Sequence, residues 1–126
     1  MKKNLFEYNE YKYSSVITDD EIMEMSNITS KTTGIKDVVI WLGPNPHYHG
    51  YRIKVSNIPN KFSREDCFTL TIPELNTIGK INNKLINKKK LEKIKEFVRI
   101  NMKLIIDYSN EEIATDELIE KLRRID

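Results

Sequence analysis

One stretch decides the fold of this chain: Tyr51–Ser56, which reads YRIKVS. Its side chains alternate between apolar and polar, and in an extended chain every second side chain points to the same side. The apolar set would therefore face a core, while the polar set, with Arg52 and Lys54, would face solvent. This pattern predicts a half-buried β-strand over residues 51–56.

Two more strand signals flank this segment. Val38–Leu42 is a run of β-branched and aromatic residues that ends at the turn signal of Gly43–Pro46. It is apolar on both sides, which favours a position inside the sheet or beneath a helix. Cys67–Ile72 alternates again and ends before Pro73. Three successive strands with short connections predict an antiparallel meander.

The C-terminal part has the spacing of helices. Apolar residues between 88 and 108 recur at three and four positions and form one stripe, which predicts one long helix there. Glu92 with Lys95, and Glu96 with Arg99, are spaced to form ion pairs on that helix. A last helix is predicted over residues 116–124, with Thr115 as its cap.

The N-terminal part gives weaker signals. Residues 1–17 carry four aromatic residues among charges and are interpreted as an arm. Thr18 and Glu21 form a capping box, which predicts a short helix over about residues 19–25. Residues 26–34 are rich in Ser, Thr and Asn and are predicted to form a loop. The expected fold is therefore α+β. A short N-terminal helix would precede a three-stranded antiparallel meander, and two C-terminal helices would pack on the sheet in one domain over residues 18–126.

Composition limits the class of protein. The chain has 126 residues, a formal net charge of +2 and one cysteine, Cys67. A lone thiol cannot form an internal disulfide, and Cys67 is expected to be inert on the polar side of its strand. The first residues have no apolar segment typical of a signal peptide, and no apolar run is long enough to cross a bilayer. These features predict a cytoplasmic protein without a membrane partner.

The two histidines of the chain lie between the first two predicted strands, in Pro46-His47-Tyr48-His49-Gly50. Two histidines spaced by one residue on an extended segment face the same side, which suits a divalent metal, but no third ligand is identified by spacing. A second interpretation makes His47 or His49 a general base, with Arg52 or Lys54 holding a phosphate oxygen. These are the residues that a metal-independent ribonuclease uses. The alternative is that both imidazoles are ordinary turn residues. We predict no metal, no cofactor and no catalytic residue.

A basic stretch spans Lys80–Lys103 and includes Lys89 and Lys93. Such a stretch can bind phosphates or an acidic protein surface, although Glu92 and Glu96 dilute it. The alternative is a solvated helix face. Trp41 and Tyr51, together with the aromatic arm, are residue types that often anchor protein interfaces, or they complete a small core.

Several of these segments resemble a group of small bacterial and phage proteins of unknown function. The segments Thr32–Ile35, Ile40-Trp41 and His49–Ser56 are similar to the group's "TGL…IW…HGPRIKV" pattern. The resemblance also includes a C-terminal helix like Phe97–Tyr108, followed by an acidic "T-x-E-L" helix like Thr115–Leu118. It covers about residues 26–125. The chain departs from the pattern with Tyr51 in place of proline and Ser109 in place of tryptophan. A more distant likeness is to small proteins of unknown function beside toxin–antitoxin genes. The resemblance implies a role in phage or mobile-element conflict.

The sequence therefore predicts a non-enzymatic interaction module that binds a protein, either a toxin or a host-defence component. A small ribonuclease and a nucleic-acid-binding domain are the alternatives. The residues predicted to form the binding site are His47, Tyr48, His49, Arg52, Lys54, Lys89 and Lys93.

Overall fold

The computed structural model describes residues 27–43 and 51–125. In this part of the chain, five strands form one antiparallel sheet in the order of the sequence. The strands are β1 (Asn27–Ile28), β2 (Ile40–Leu42), β3 (Tyr51–Ser56), β4 (Cys67–Ile72) and β5 (Thr77–Ile78). The helices are α1 (Ser30–Thr33), α2 (Lys88–Ile100), α3 (Met102–Ser109) and α4 (Thr115–Lys121). The α+β class and the antiparallel meander are confirmed.

The pairing of β3 with β4 builds the centre of the core. Ile53 lies opposite Leu70, and Val55 lies opposite Phe68, and each of these four side chains is at most 1% exposed. On the helical side, Ile94, Phe97 and Val98 of α2 are fully buried in the same cluster. The alternation of β3 thus puts one set of side chains beneath the described helices, which share a single core cluster with that face of the sheet.

The number of strands was predicted wrongly, because the sheet has five strands and not three. The two additional strands, β1 and β5, have two residues each and lie at the edges. Two residues are too few to show an alternating pattern, so pairing with a longer neighbour creates these strands. The segment over residues 26–34 was predicted to be a loop, but it contains β1 and the single turn of α1, both of which are too short to show a periodic pattern.

The helix predicted over residues 88–108 is interrupted at Asn101, so the C-terminal part has three helices and not two. Asn101 is 1% exposed, and its side chain makes contacts far away in the sequence. Its Nδ2 donates to the carbonyl of Arg123 at 2.9 Å and to that of Phe97 at 2.9 Å. Its Oδ1 accepts the backbone N–H of Arg123 at 2.8 Å. Asn101 thus ties the segment after α4 to the end of α2.

The start of α4 differs from the sequence-based expectation, whereas α2 begins at Lys88 as predicted. Helix α4 begins at Thr115 itself, after Ala114, and no side chain caps it. The Thr115 hydroxyl lies 2.9 Å from the hydroxyl of Tyr108, so the cap predicted for Thr115 is wrong. By contrast, the side chain of Asn87 caps α2, accepting the N–H of Lys90 at 2.8 Å.

The ion pairs expected within the long helix are present. Lys95 pairs with Glu92 at 4.0 Å, and Arg99 pairs with Glu96. The arm at residues 1–17 and the helix predicted over residues 19–25 lie outside the described residues. In the described part of the chain, no helix has the length and apolar character that crossing a bilayer requires.

Replacing Asn101 with alanine should destabilise the fold by about 2–3 kcal/mol, because the Arg123 backbone N–H and carbonyl would lose their buried partner. Urea unfolding followed by circular dichroism measures this free energy. The matched control is Asn83→Ala, an exposed asparagine without a side-chain hydrogen bond, which should change stability by no more than about 0.5 kcal/mol. Equal stabilities of the two variants would contradict the role assigned to Asn101.

Candidate functional site: the outer face of the sheet

The sheet face turned away from the helices carries a row of residues from all five strands. Trp41 pairs with Asn27 on one side and with Lys54 on the other. Lys54 in turn lies opposite Thr69, which lies opposite Ile78. We call this row, together with Arg52 and Thr71 in the next register position, the outer face. It follows directly from the alternation of β3, because Arg52 and Lys54 must point opposite to Ile53 and Val55.

The outer face is cationic. None of its seven residues is acidic. Arg52 is half-buried, its Nε is inaccessible to solvent without a hydrogen-bond partner, and its guanidinium makes no ion pair with any described residue. Lys54 donates from Nζ to Oγ1 of Thr69 at 3.4 Å, a neutral partner. Unpaired and partly desolvated cations raise the free energy of a folded protein, so the charges of Arg52 and Lys54 contribute little to the stability of this fold.

An aromatic pair lies on the same face. The Trp41 indole covers Gly43, because a Cβ added to Gly43 would lie 2.0 Å from the indole Cη2 atom. The ring of Phe62, from the loop after β3, is 6.4 Å from that of Trp41, with a tilt of 31°. Trp41 is only half-buried, and its Nε1 has no hydrogen-bond partner. A glycine at position 43 is therefore needed for the indole to lie flat along β2.

The loop over residues 57–66 closes one end of the outer face, and Asn57 holds it in place. The Asn57 side chain is 3% exposed and donates from Nδ2 to Asp66 Oδ1 at 3.0 Å and to the Lys80 carbonyl at 2.8 Å. Its Oδ1 accepts the N–H of Asn82 at 2.9 Å. Beneath the loop, the hydroxyl of Ser56 donates to the Lys61 carbonyl at 2.6 Å. Ser56 was expected to face solvent, but this loop buries it.

Cys67 lies opposite Ser56 at the same end of the sheet. Its thiol is 3.6 Å from the Arg64 carbonyl, to which it donates. Burial raises the pKa of the Cys67 thiol, the charge of Lys54 lowers it in part, and the charge of Asp66 raises it. The thiol is therefore protonated at neutral pH, which lowers its reactivity.

The residues predicted from sequence to form one binding site fall into three groups. Arg52 and Lys54 lie together on the outer face. Lys89 and Lys93 are exposed on α2, which packs against the opposite face of the sheet, so the core separates them from Arg52 and Lys54. The remaining residues, His47, Tyr48 and His49, lie outside the described residues. The acid–base and metal hypotheses for the histidines thus stay predictions.

The basic stretch itself divides into two halves. In its C-terminal half, Lys95 and Arg99 pair with glutamates, and Lys103 pairs with Asp107 at 2.8 Å. The first turn of α2 consists of Lys88–Lys90, contains no acidic residue and makes no ion pair in the described part of the chain. Cations at the positive end of a helix dipole are unfavourable. The unneutralised half is therefore the part of the stretch that a phosphate could contact.

The sequence offered Trp41 either as an interface anchor or as a core residue, but it gave no signal for Phe62, since a single phenylalanine in a polar loop carries no pattern. Tyr51, considered together with Trp41, belongs to the other side of β3. Its hydroxyl accepts a hydrogen bond from Asn110 Nδ2 at 3.1 Å, next to α3. Within residues 27–43 and 51–125, no three His, Cys, Asp or Glu side chains are placed to hold a metal ion.

Comparison with known proteins adds no relative, because no family model, no curated protein and no solved structure matches this chain.

The position of Lys54 beside Cys67 predicts how the thiol titrates. Lys54→Ala removes a positive charge that favours the thiolate, so the pKa of Cys67 should rise further, while Asp66→Asn should lower it. The pH dependence of iodoacetamide alkylation of Cys67 measures both shifts. Lys84→Ala, which changes an exposed lysine elsewhere, is the control and should leave the pKa unchanged. Shifts of the same sign for Lys54→Ala and Asp66→Asn would contradict the arrangement.

Proposed function

We propose that this protein is a non-enzymatic interaction module that binds an acidic surface of a protein partner through the outer face of its sheet. The observation that carries the proposal is the guanidinium of Arg52, which makes no ion pair with any described residue, beside Lys54 on a face whose seven defining residues include no carboxylate. An arginine presents a planar fork of donors that matches a carboxylate, and such pairs are strong when they are shielded from water. The sequence resemblance suggests a toxin or a host-defence protein as the partner.

The neighbouring aromatic residues support a protein as the partner. Trp and Arg are enriched among the residues that dominate the binding energy of protein interfaces. Here Trp41 is adjacent to Lys54 across the β2–β3 pair, and its indole lies over Gly43 and beside the ring of Phe62. A side chain that is ordered before binding loses less entropy when the partner arrives. At the edge of the same row, Ile78 is 50% exposed and adds apolar surface.

The charge-reversal variant Arg52→Glu/Lys54→Glu should lose the partner while keeping the fold. The tagged variant and the wild type would be used to recover partners from host lysate, and the recovered protein would then be purified and titrated against both. We expect a loss of affinity of at least about 100-fold, since two favourable charge contacts become repulsive. Circular dichroism and thermal unfolding would show that the variant is folded.

Two further variants make this experiment specific to the outer face. Lys89→Glu/Lys93→Glu changes the charge on α2, and Lys31→Glu/Lys36→Glu changes exposed lysines near α1. Both should bind the partner as the wild type does. The outer face would be excluded as the contact site if Arg52→Glu/Lys54→Glu retained the partner, or if all three variants lost it equally.

A second function is favoured by the first turn of α2. This turn and Lys93, one turn later, form a cluster of cations at the end of a helix where positive charge is unfavourable, and none of them makes an ion pair with a described residue. Such a cluster is suited to the phosphate backbone of a nucleic acid. This surface lies on the helical side of the molecule, so nucleic acid and an acidic protein would occupy different faces.

If α2 binds nucleic acid, affinity for RNA or DNA should fall steeply with salt. The triple variant Lys88→Gln/Lys89→Gln/Lys93→Gln should reduce the slope of log K against log salt by about two to three, because each lysine releases roughly one counterion. Fluorescence anisotropy with labelled single-stranded and double-stranded oligonucleotides measures the slope. Arg99→Gln is the control, since Arg99 is already paired with Glu96. No binding at low salt, or an unchanged slope, would exclude this surface.

A further inference from the structure

A cleft of about 620 Å³ lies between the outer face and the loop over residues 57–66. Its floor is formed by Asn27, Thr29 and Val39 of the β1–β2 edge, and its wall is formed by Ile58 and by residues 60–65. The volume lies in the range of about 300–1,000 Å³ that is typical of small-ligand sites. The cleft borders the surface proposed for the protein partner at Asn27, but neither Arg52 nor Lys54 lines it.

The wall of the cleft is rich in hydrogen-bond donors that have no acceptor. Lys61 and Arg64 are exposed and make no ion pair or side-chain hydrogen bond within the described residues. The Ser63 hydroxyl accepts the N–H of Asp66 at 3.2 Å, which leaves its own proton to donate. Thr29 occupies the N-cap position of α1, yet its hydroxyl does not cap the helix. Two cations and two hydroxyl donors in one cleft match the several acceptor oxygens of a phosphate.

The same cleft offers a surface for a planar ring. Phe62 lines it and is half-buried, with its ring next to that of Trp41. Val39 and Ile58 add apolar surface, so the lining near Phe62 suits a flat, weakly polar group. Glu65 places a carboxylate in the lining, and a carboxylate accepts N–H groups but repels a phosphate. A ligand with a phosphate at one end and an N–H-bearing ring at the other satisfies both halves of the lining.

We propose that this cleft binds a nucleotide, with the base against Phe62 and the phosphate near Lys61 and Arg64. The loop that forms the wall is fastened by Asn57 to the segment at Lys80–Asn82, so the cleft exists before a ligand arrives. A site that is formed in advance loses less free energy to ordering when it binds. The nucleotide is either free in solution or part of a single strand of RNA, since both present the same base and phosphate.

Trp41 provides the measurement, because it is the only tryptophan of the chain and its ring is 6.4 Å from that of Phe62. The four nucleoside monophosphates, a 5′-phosphorylated tetranucleotide, the nucleosides and inorganic phosphate would each be titrated while the tryptophan emission is followed. We expect saturable binding of at least one monophosphate or of the tetranucleotide, with a Kd below about 1 mM. Binding of the monophosphate identifies a free nucleotide, and binding of the tetranucleotide alone identifies a strand.

Substitutions in the lining test whether the nucleotide binds in the cleft. Lys61→Gln/Arg64→Gln should weaken it by at least about tenfold. Phe62→Leu should weaken it as well, by removing the ring on which a base stacks. Lys80→Gln/Lys84→Gln carries the same charge change on exposed lysines outside the cleft and should bind normally.

Three results would overturn the proposal: no response to any nucleotide at about 1 mM, equal affinity for inorganic phosphate alone, or binding unchanged by the Lys61 and Arg64 substitutions. Arg52→Glu/Lys54→Glu should still bind the nucleotide, so failure at the cleft and failure at the protein-binding surface are separate outcomes.

Discussion

The six-residue pairing between β3 and β4 is the constraint on which the rest of this structure depends. It places Ile53 against Leu70 and Val55 against Phe68, and these side chains are the centre of the core. Because side chains alternate along a strand, the same register puts Arg52 and Lys54 on the opposite face. A shift of the pairing by one residue would bury both cations and expose the core residues, at a large cost in free energy. Core and outer face are thus two consequences of one register.

Two buried asparagines connect this sheet to the segments around it. Asn57 joins the loop after β3 to the segment before α2, and Asn101 joins the end of α2 to the chain after α4. In both places an amide satisfies a backbone donor and a backbone acceptor from a distant segment, where regular pairing does not occur. Losing such a hydrogen bond costs the most free energy when it is buried, because water cannot reach the unpaired backbone groups to replace it. The loop that walls the cleft owes its position to the first of these residues.

The two surfaces proposed to bind partners follow from how charge is distributed over the sheet and α2. On α2, Lys95 and Arg99 pair with glutamates, whereas the lysines of the first turn make no ion pair with any described residue. On the sheet and within the described residues, Arg52 has no acceptor, and Lys54 has a threonine hydroxyl alone. The molecule therefore has two cationic surfaces on opposite sides of one core, and each suits a different kind of anionic partner.

The sequence by itself determined the α+β class, the bounds of β3 and β4, and the two ion pairs of α2, because all of these depend on spacing along the chain. It also placed Arg52 and Lys54 on the polar side of a strand. Spacing could not show that Asn101 interrupts the long helix, since the partner that holds it lies 22 residues away. Likewise it could not show that the Thr115 hydroxyl bonds to Tyr108, or that strands of two residues form at both sheet edges.

Only the tertiary structure decided which cations share a surface. Lys89 and Arg52 look alike in the sequence, yet the core separates them, because α2 packs on the face of the sheet opposite to Arg52. The meeting of Phe62 with Trp41, and the cleft beside them, likewise depends on a loop folding back over the strands. Contacts of this kind arise from the packing of distant segments, and no local pattern of residue types encodes them.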